Sequence, residues 1–154
     1  MKKGFTLIEI LIVVAIIAVL ASIVLIGFGP AQRQGRDARR ISDLRQSQNA
    51  LELYYSKCGY YPGTAQATYP CGARASVNTW SGVQAALTGS NIGVSQIPND
   101  LSGGATYYYG TDGNGTSYVI GATLEDQNNP ALQNSYKTSE YGVTCTGANY
   151  CIKF

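Results

Sequence analysis

The longest apolar stretch of the chain lies within its first thirty residues. Residues 10–32 carry no charge, and they follow a short basic start that contains Lys2 and Lys3. A helix of about twenty apolar residues, rising about 1.5 Å per residue, spans the hydrocarbon core of a bilayer. The pattern therefore predicts a membrane-spanning helix over residues 5–29, with the two lysines on the cytoplasmic side and the rest of the chain outside.

Two other interpretations of this segment stay open. An uncut signal anchor needs nothing beyond the apolar run and the two lysines. A cleaved secretory signal is compatible with the small-residue site that ends at Ala21. Against the secretory signal, apolar residues continue for seven positions beyond Ala21, and Glu9 interrupts the start of the apolar segment.

Glu9 is the one carboxylate in this apolar setting. An unpaired carboxylate costs about 2.5–3.5 kcal/mol at the centre of a membrane helix and less near its end, so Glu9 requires a cationic partner. Cleavage after Gly4 would create an amine on Phe5, one helical turn from Glu9 or within reach of Glu9 on a neighbouring copy. Such a pair would set the axial register of stacked apolar helices, because mispairing would leave a charge buried.

The string Gly4-Phe5-Thr6-Leu7-Ile8-Glu9 closely resembles the processing motif of type IV pilins and type II secretion pseudopilins. The resemblance implies that a prepilin peptidase removes the leader, residues 1–4, after Gly4. It implies that the new terminal Phe5 is N-methylated and that Glu9 guides docking into a growing filament. It also implies an α+β pilin fold, in which a long amino-terminal helix packs against a small antiparallel sheet.

The apolar run is followed by a junction and an amphipathic stem over residues 30–57. Proline removes a backbone hydrogen bond and glycine weakens a helix by about 1 kcal/mol, so the junction is predicted to be a helix end or a kink. The junction residues are Gly27, Gly29 and Pro30. Beyond them, helical spacing predicts one apolar stripe that packs on the head and is formed by Ile41, Leu44, Leu51 and Tyr55.

Four arginines cluster just beyond the apolar run, namely Arg33, Arg36, Arg39 and Arg40. A solvated helix face, with Asp37 and Asp43 as nearby partners, is the simplest interpretation. Contact with anionic lipid headgroups before assembly, or with acidic faces of neighbouring subunits after it, is the alternative. Non-specific binding of nucleic acid is a further alternative, although no groove-reading motif accompanies the arginines.

The head, residues 58–154, is rich in Gly, Ser, Thr, Asn and Tyr. Spacings of three and four around Trp80 predict a short helix, capped by Asn78 or Thr79. Aromatic and β-branched residues on both sides of the turn at residues 112–115 predict a β-hairpin. A third strand is predicted within residues 136–146, and the connection to it is placed at residues 128–130.

The hairpin turn, Asp112-Gly113-Asn114-Gly115-Thr116, also begins like a calcium-binding loop. It fails the EF-hand pattern, because position six is not glycine and position twelve is not a bidentate carboxylate. Turn chemistry is the favoured interpretation. A calcium site that uses Asp112, Asn114, Glu125 and Asp126 is the alternative, and no other cofactor is expected.

Four cysteines allow three disulfide pairings and indicate an extracytoplasmic compartment. The local pairing, Cys58–Cys71 and Cys145–Cys151, is favoured because it would staple the end of the stem helix and the carboxyl-terminal loop. A zinc site is the rival, but the spacings do not resemble paired zinc knuckles. The closed terminal loop also resembles the disulfide-bounded region of type IV pilins.

The chain has 154 residues and no histidine, which excludes histidine-based catalysis and histidine-ligated metals. No phosphate-binding loop or recognisable acidic pair is present, so a filament subunit is expected rather than an enzyme. The pilin resemblance implies several partners: other copies of the chain, minor pilins or pseudopilins, the prepilin peptidase, a membrane platform protein and an assembly ATPase. A type IV pilus subunit is favoured over a secretion pseudopilin. An uncut, membrane-anchored binding protein is the alternative from another class.

Overall fold

A computed structural model describes residues 4–63, 71, 79–100 and 107–154, with the side chains of residues 23–27 excepted. The order of elements is a long helix α1 (Leu7–Cys58), a short helix α2 (Trp80–Gly89), strands β1 (Tyr108–Thr111) and β2 (Tyr118–Thr123), a 3₁₀ helix (Pro130–Asn134) and strand β3 (Asn149–Lys153). The α+β fold with a small antiparallel sheet, predicted from the pilin resemblance, is confirmed.

Helix α1 continues without interruption through Pro30. The prediction that the helix ends at the glycine–proline junction is therefore wrong, whereas a kink at Gly27, Gly29 and Pro30 stays a prediction. The helix stops at Gly59, which adopts a left-handed conformation with φ of 78° and donates its N–H to the carbonyl of Tyr55. Glycine takes this conformation without a Cβ penalty, which explains why the helix ends here.

The buried face of α1 begins at Asp37 and follows alternating steps of three and four residues. It comprises Asp37, Arg40, Leu44, Ser47, Leu51, Tyr54 and Cys58, and Ala50 is buried beside it. Leu44 and Leu51 lie on this face as predicted, and Ile41 is partly buried beside it. Tyr55 is 38% exposed and lies beside this face rather than on it, although its ring packs against the Tyr61 ring of the head, with 4.7 Å between the centroids. The preceding residue, Tyr54, lies three positions after Leu51 on the buried face and is buried.

The sheet has the order β1-β2-β3, and both pairs of neighbours are antiparallel. The predicted hairpin is confirmed, because Tyr108 pairs with Gly121 and Thr111 pairs with Tyr118. The third strand was predicted at residues 136–146 but lies at Asn149–Lys153. Residues 136–146 instead contain a tight reversal, with a bridge between Glu140 and Val143 and positive φ at Tyr141 and Gly142.

Helix α2 lies over the predicted spacing, and its buried residues are Trp80, Val83 and Leu87. Thr79 is the N-cap, and its hydroxyl accepts a hydrogen bond from the N–H of Gly82. The alternative cap, Asn78, lies outside the described residues. The main core is formed by buried residues of α2, of α1 between Leu44 and Cys58, and of one face of the sheet. Val119, Val143 and the Cys145–Cys151 disulfide form a smaller core on the other side of the sheet.

Candidate functional site

The amino-terminal end of α1 is organised by Thr6 and Glu9. The Thr6 hydroxyl accepts a hydrogen bond from the N–H of Glu9 at 3.4 Å, and the N–H of Thr6 donates to the Glu9 carboxylate at 2.8 Å. The Thr6 hydroxyl also donates to this carboxylate at 2.6 Å. This reciprocal arrangement is a capping box, which satisfies backbone groups that the first helical turn leaves without partners.

The residues on either side of the predicted cleavage position precede the helix. Gly4 and Phe5 have no regular secondary structure, and the Phe5 side chain is 83% exposed. A Cβ at Gly4 would meet nothing within 4 Å. Both residues that flank the predicted cleavage position are therefore exposed, and cleavage between them stays a prediction. The pairing of a Phe5 amine with Glu9 stays a prediction, because that amine exists only after cleavage.

The first half of α1 projects away from the head. Described side chains of residues 4–22 and 28–36 are exposed, although most of those before residue 30 are apolar. Because α1 rises about 1.5 Å per residue, the projecting part before Asp37 is about 45 Å long. Contiguous apolar surface of this size on a soluble domain marks a contact with protein or membrane. Within the part of the chain that the structure describes, no helix has the length and hydropathy of a membrane-crossing segment.

A buried group of charges lies where α1 first meets the head. Arg40 donates to Asp37 at 3.0 Å and to Asp100 at 2.8 Å, and the side chains of all three are at most 6% exposed. The Asp37 carboxylate also accepts the backbone N–H groups of Glu125 and Asp126, at 2.8 and 2.9 Å. A buried carboxylate with three donors is well satisfied, so this cluster fixes the position of the helix on the head.

Glu125 extends this cluster to the surface. Its carboxylate accepts two hydrogen bonds from Arg36, at 2.7 and 2.6 Å, and lies 3.0 Å from Arg40. The hydrogen bond from Arg36 is the main reason that the pKa of Glu125 is lowered to about 2. The prediction of one solvated arginine face is therefore wrong for Arg40, which is buried. It holds for Arg33 and Arg39, whose side chains are exposed.

Sequence reasoning missed this charge cluster as a unit. The signal that could have revealed it is a seven-residue spacing, since Asp37, Leu44, Leu51 and Cys58 occupy one face of the helix. A hydropathy pattern excludes a carboxylate from that face, because it takes no account of the partners that make burial tolerable.

Two other carboxylates of α1 bind tyrosines of the head. Tyr107 donates to Asp43 at 2.7 Å, and Tyr118 and Tyr61 donate to Glu52 at 2.9 and 3.0 Å. Burial, followed by the hydrogen bonds to these carboxylates, raises the pKa of all three phenols. The tyrosines therefore serve as neutral donors that join the helix to the head at physiological pH.

The proposed calcium ligands do not come together. Asp112 lies in the β1–β2 turn, whereas Glu125 and Asp126 follow the far end of β2. The Asp112 carboxylate instead accepts hydrogen bonds from the backbone of Thr116 and Ser117 and from the Thr116 hydroxyl. Among the described residues, no group of three or more acidic or cysteine side chains is arranged to hold a metal ion.

Both disulfides link cysteines that are near in sequence. Cys58, the last residue of α1, is bonded to Cys71, and Cys145 is bonded to Cys151 of β3. The sequence Tyr69-Pro70-Cys71-Gly72 also predicts a turn, but these residues, apart from Cys71, lie outside the described part of the chain. The second disulfide fastens the irregular segment before β3 to the sheet, and both of its cysteines are buried.

Comparison with known proteins supports the interpretation of the amino-terminal end. A family model described as the prokaryotic N-terminal methylation motif matches residues 1–25. Similar curated proteins include Type II secretion system core protein G of Escherichia coli (strain K12), 37% identical over 65 residues, and its namesakes from Klebsiella pneumoniae, 35% identical, and Aeromonas hydrophila, 32% identical.

These alignments cover 42% of this chain and 45–46% of the three relatives, so the chain spans less than half the length of the proteins it matches. No solved structure matches the chain. The comparisons favour the secretion pseudopilin, which sequence analysis placed second, over the pilus subunit. The chain thus carries the amino-terminal methylation motif shared by type IV pilins and pseudopilins, and a 65-residue segment of it is similar to type II secretion core protein G.

Proposed function

We propose that this chain is a structural subunit of a type II secretion pseudopilus, a filament that assembles from the membrane after prepilin cleavage. The observation that carries the proposal is the apolar half of α1. It projects about 45 Å beyond the head and begins with the motif that contains Gly4, Phe5 and Glu9. The similarity of a 65-residue segment of the chain to core protein G favours the secretion class.

The parts of α1 before and after Asp37 have different surroundings, which supports different roles for them. The part from Asp37 to Cys58 is fixed to the head by buried charges and tyrosine–carboxylate hydrogen bonds. In the part before Asp37, the described apolar side chains are exposed all around the helix, so no single face of them is turned to the head. A helix that is apolar on all sides suits lipid before assembly and a bundle of identical helices afterwards.

Residues 1–4 serve as the leader, and the chain is the substrate of a peptidase rather than a catalyst. Before assembly the subunit is anchored in the membrane, with its amino terminus cytoplasmic and its head extracytoplasmic. Its partners are further copies of itself, minor pseudopilins, the membrane platform protein and the assembly ATPase. The capping box joins Thr6 and Glu9 in the uncut chain, and the amine of processed Phe5 then competes for the Glu9 carboxylate.

A type IV pilus subunit is the second candidate. The disulfide-closed terminal loop, Cys145–Cys151, and the weakly charged, tyrosine-rich head favour it. Deleting the chromosomal copy distinguishes the two candidates. A pseudopilus subunit is required for export of folded proteins through the outer envelope, whereas a pilus subunit is required for long surface filaments seen by electron microscopy.

The first test is the mass of the amino-terminal peptide of the full chain recovered from its native envelope. We expect a peptide that starts at N-methylated Phe5. Glu9→Ala should still be cleaved but should fail to enter filaments, whereas Gly4 replaced by a bulkier residue should block cleavage. Gly113→Ala is a matched control, because Gly113 lies in an open turn far from the cleavage position. A peptide that starts at Met1, or wild-type filament yield from Glu9→Ala, would overturn the proposal.

A further inference from the structure

The turn between β1 and β2 has a feature that the proposed function does not use. Residues 112–117 close the hairpin through a hydrogen bond from the N–H of Asp112 to the carbonyl of Ser117, at 3.1 Å. The Asp112 carboxylate binds donors of the same turn, from Thr116 and Ser117. The acidic side chain therefore stabilises the turn. Asn114, at the tip of the turn, has no such structural role among the described residues.

Asn114, Gly115 and Thr116 form an Asn-x-Thr sequence in which the middle residue is not proline. This is the acceptor pattern for N-linked oligosaccharides, and it belongs on the surface of an extracytoplasmic domain. The chain contains nine asparagines, and only Asn114 is followed two positions later by Ser or Thr. The one sequence of this kind thus coincides with the exposed tip of a hairpin.

The side chain of Asn114 is accessible. It is exposed, and no hydrogen bond joins its amide to another described residue. Both neighbours are glycines, and a Cβ built at Gly113 would meet nothing within 4 Å. Thr116, whose hydroxyl completes the acceptor pattern, is also exposed. An enzyme can therefore approach the amide nitrogen without moving the sheet beneath it.

The position of the turn leaves the assembly helix clear. The Gly115 carbonyl accepts a hydrogen bond from the N–H of Tyr61, which lies three residues past the end of α1. Helix α1 has 52 residues and a length of about 78 Å, so the turn lies at the opposite end of the subunit from Phe5. A bulky, hydrated group here would cap the far end of the head without touching the apolar half of α1.

We propose that Asn114 is an N-glycosylation site. The donor is an oligosaccharide linked to a polyprenyl diphosphate, and an oligosaccharyltransferase brings the two together. The Asn114 amide nitrogen forms a bond to the anomeric carbon of the first sugar and gives up one proton. The bond between that carbon and the diphosphate oxygen breaks, and the polyprenyl diphosphate leaves with the electron pair. The proposal rests on the proposed function only in that the head must be extracytoplasmic.

The test uses the full chain from its native envelope, with tandem mass spectrometry of the peptide that contains residue 114. We expect a sugar-chain mass on Asn114 in the wild type and its complete loss in Asn114→Gln. Thr116→Ala should lose it as well, whereas Thr116→Ser, which keeps the hydroxyl, should retain it. Asn128→Gln is the matched control, because Asn128 is exposed but lies outside any acceptor pattern. A bare Asn114 in the wild type, or full modification of Thr116→Ala, would overturn the proposal.

The same sample separates this proposal from the proposed function. A chain that starts at Phe5, with both disulfides formed and a bare Asn114, contradicts glycosylation and leaves the filament function intact. A chain that starts at Met1 and carries a sugar chain on Asn114 supports glycosylation and contradicts the filament function. Protease resistance of the folded head shows whether a variant has lost the modification by unfolding.

Discussion

Asp37 and Arg40 lie one turn apart on α1 and form an ion pair of 3.0 Å, although both side chains are buried. The pair does more than neutralise two charges, because Asp37 also accepts two backbone N–H groups from the segment after β2. Helix and head are thus joined at a point where a shift of the helix would separate buried charges. A buried pair of this kind specifies position more than it adds stability.

Asp37→Ala should therefore destabilise the head strongly. The substitution leaves Arg40 with fewer acidic partners and leaves the N–H groups of Glu125 and Asp126 without their acceptor. We expect the free energy of unfolding to fall by about 3 kcal/mol or more. Urea denaturation of the full chain in mild detergent, followed by circular dichroism, measures this change.

Arg39→Ala is the control for that experiment. Arg39 is 62% exposed and lies 3.9 Å from Asp43, so its removal should cost less than about 1 kcal/mol. Equal losses in the two variants would contradict a special role for the buried pair.

Tyr107 and Tyr108 are neighbours in sequence with opposite surroundings, which makes them a matched pair. Tyr107 is buried against Trp80 and donates to the Asp43 carboxylate at 2.7 Å. Tyr107→Phe should cost about 1.5–3 kcal/mol of unfolding free energy, because a hydrogen bond to a charged group is lost. Tyr108→Phe should cost about 0.5 kcal/mol, since Tyr108 is 39% exposed. Thermal or urea unfolding of both variants would reveal the difference, and a larger loss for Tyr108→Phe would refute it.

Local patterns predicted α2 and the hairpin because each depends on neighbours in sequence. Trp80, Val83 and Leu87 follow a helical spacing, and the glycine-rich turn fixes the pairing of β1 with β2. Each of these elements is determined by residues within about twelve positions of one another. Both could therefore be predicted without knowledge of any long-range contact.

Strand β3 could not be found in the same way. Residues 136–146 contain tyrosine, threonine and valine, but positive φ at Tyr141 and Gly142 turns the chain back on itself. The true strand is five residues long and gains its position from pairing with β2 and from the Cys145–Cys151 disulfide. Likewise, burial of Asp37 depends on Arg40 and on a loop 88 residues further along the chain, which no local pattern contains.

Glu125 should make the stability of the head sensitive to acid. Arg36 holds the pKa of Glu125 at about 2, below its ordinary value of 4.5. A depressed folded-state pKa contributes stability that is present above the ordinary pKa and is lost as the pH falls from about 4.5 towards 2. The unfolding free energy, measured from pH 6 to pH 2.5, should therefore fall less steeply for Glu125→Gln than for the wild type.

Two comparisons check the origin of this acid sensitivity. Arg36→Gln should reduce the effect of Glu125→Gln, because Arg36 provides the main hydrogen bonds to the carboxylate. High salt should also reduce the difference in acid sensitivity between the wild type and Glu125→Gln, since the Arg36 side chain is 44% exposed and its charge is screened. Identical pH profiles for the wild type and Glu125→Gln would refute the assignment.

Gly110 lets the segment before the Cys145–Cys151 loop pack directly on β1. A Cβ at this position would clash with the carbonyl oxygen of Tyr141 and would lie 2.9 Å from its Cβ. Tyr141 already has a φ of 53° in a tight reversal, so it has little freedom to retreat. Gly110→Ala should therefore cost about 1–3 kcal/mol of unfolding free energy through overpacking, and should raise protease cleavage near residue 141. Gly113→Ala meets open space and should change stability by less than about 1 kcal/mol. If Gly110→Ala were as stable as Gly113→Ala, the close packing of Tyr141 on β1 would be wrong.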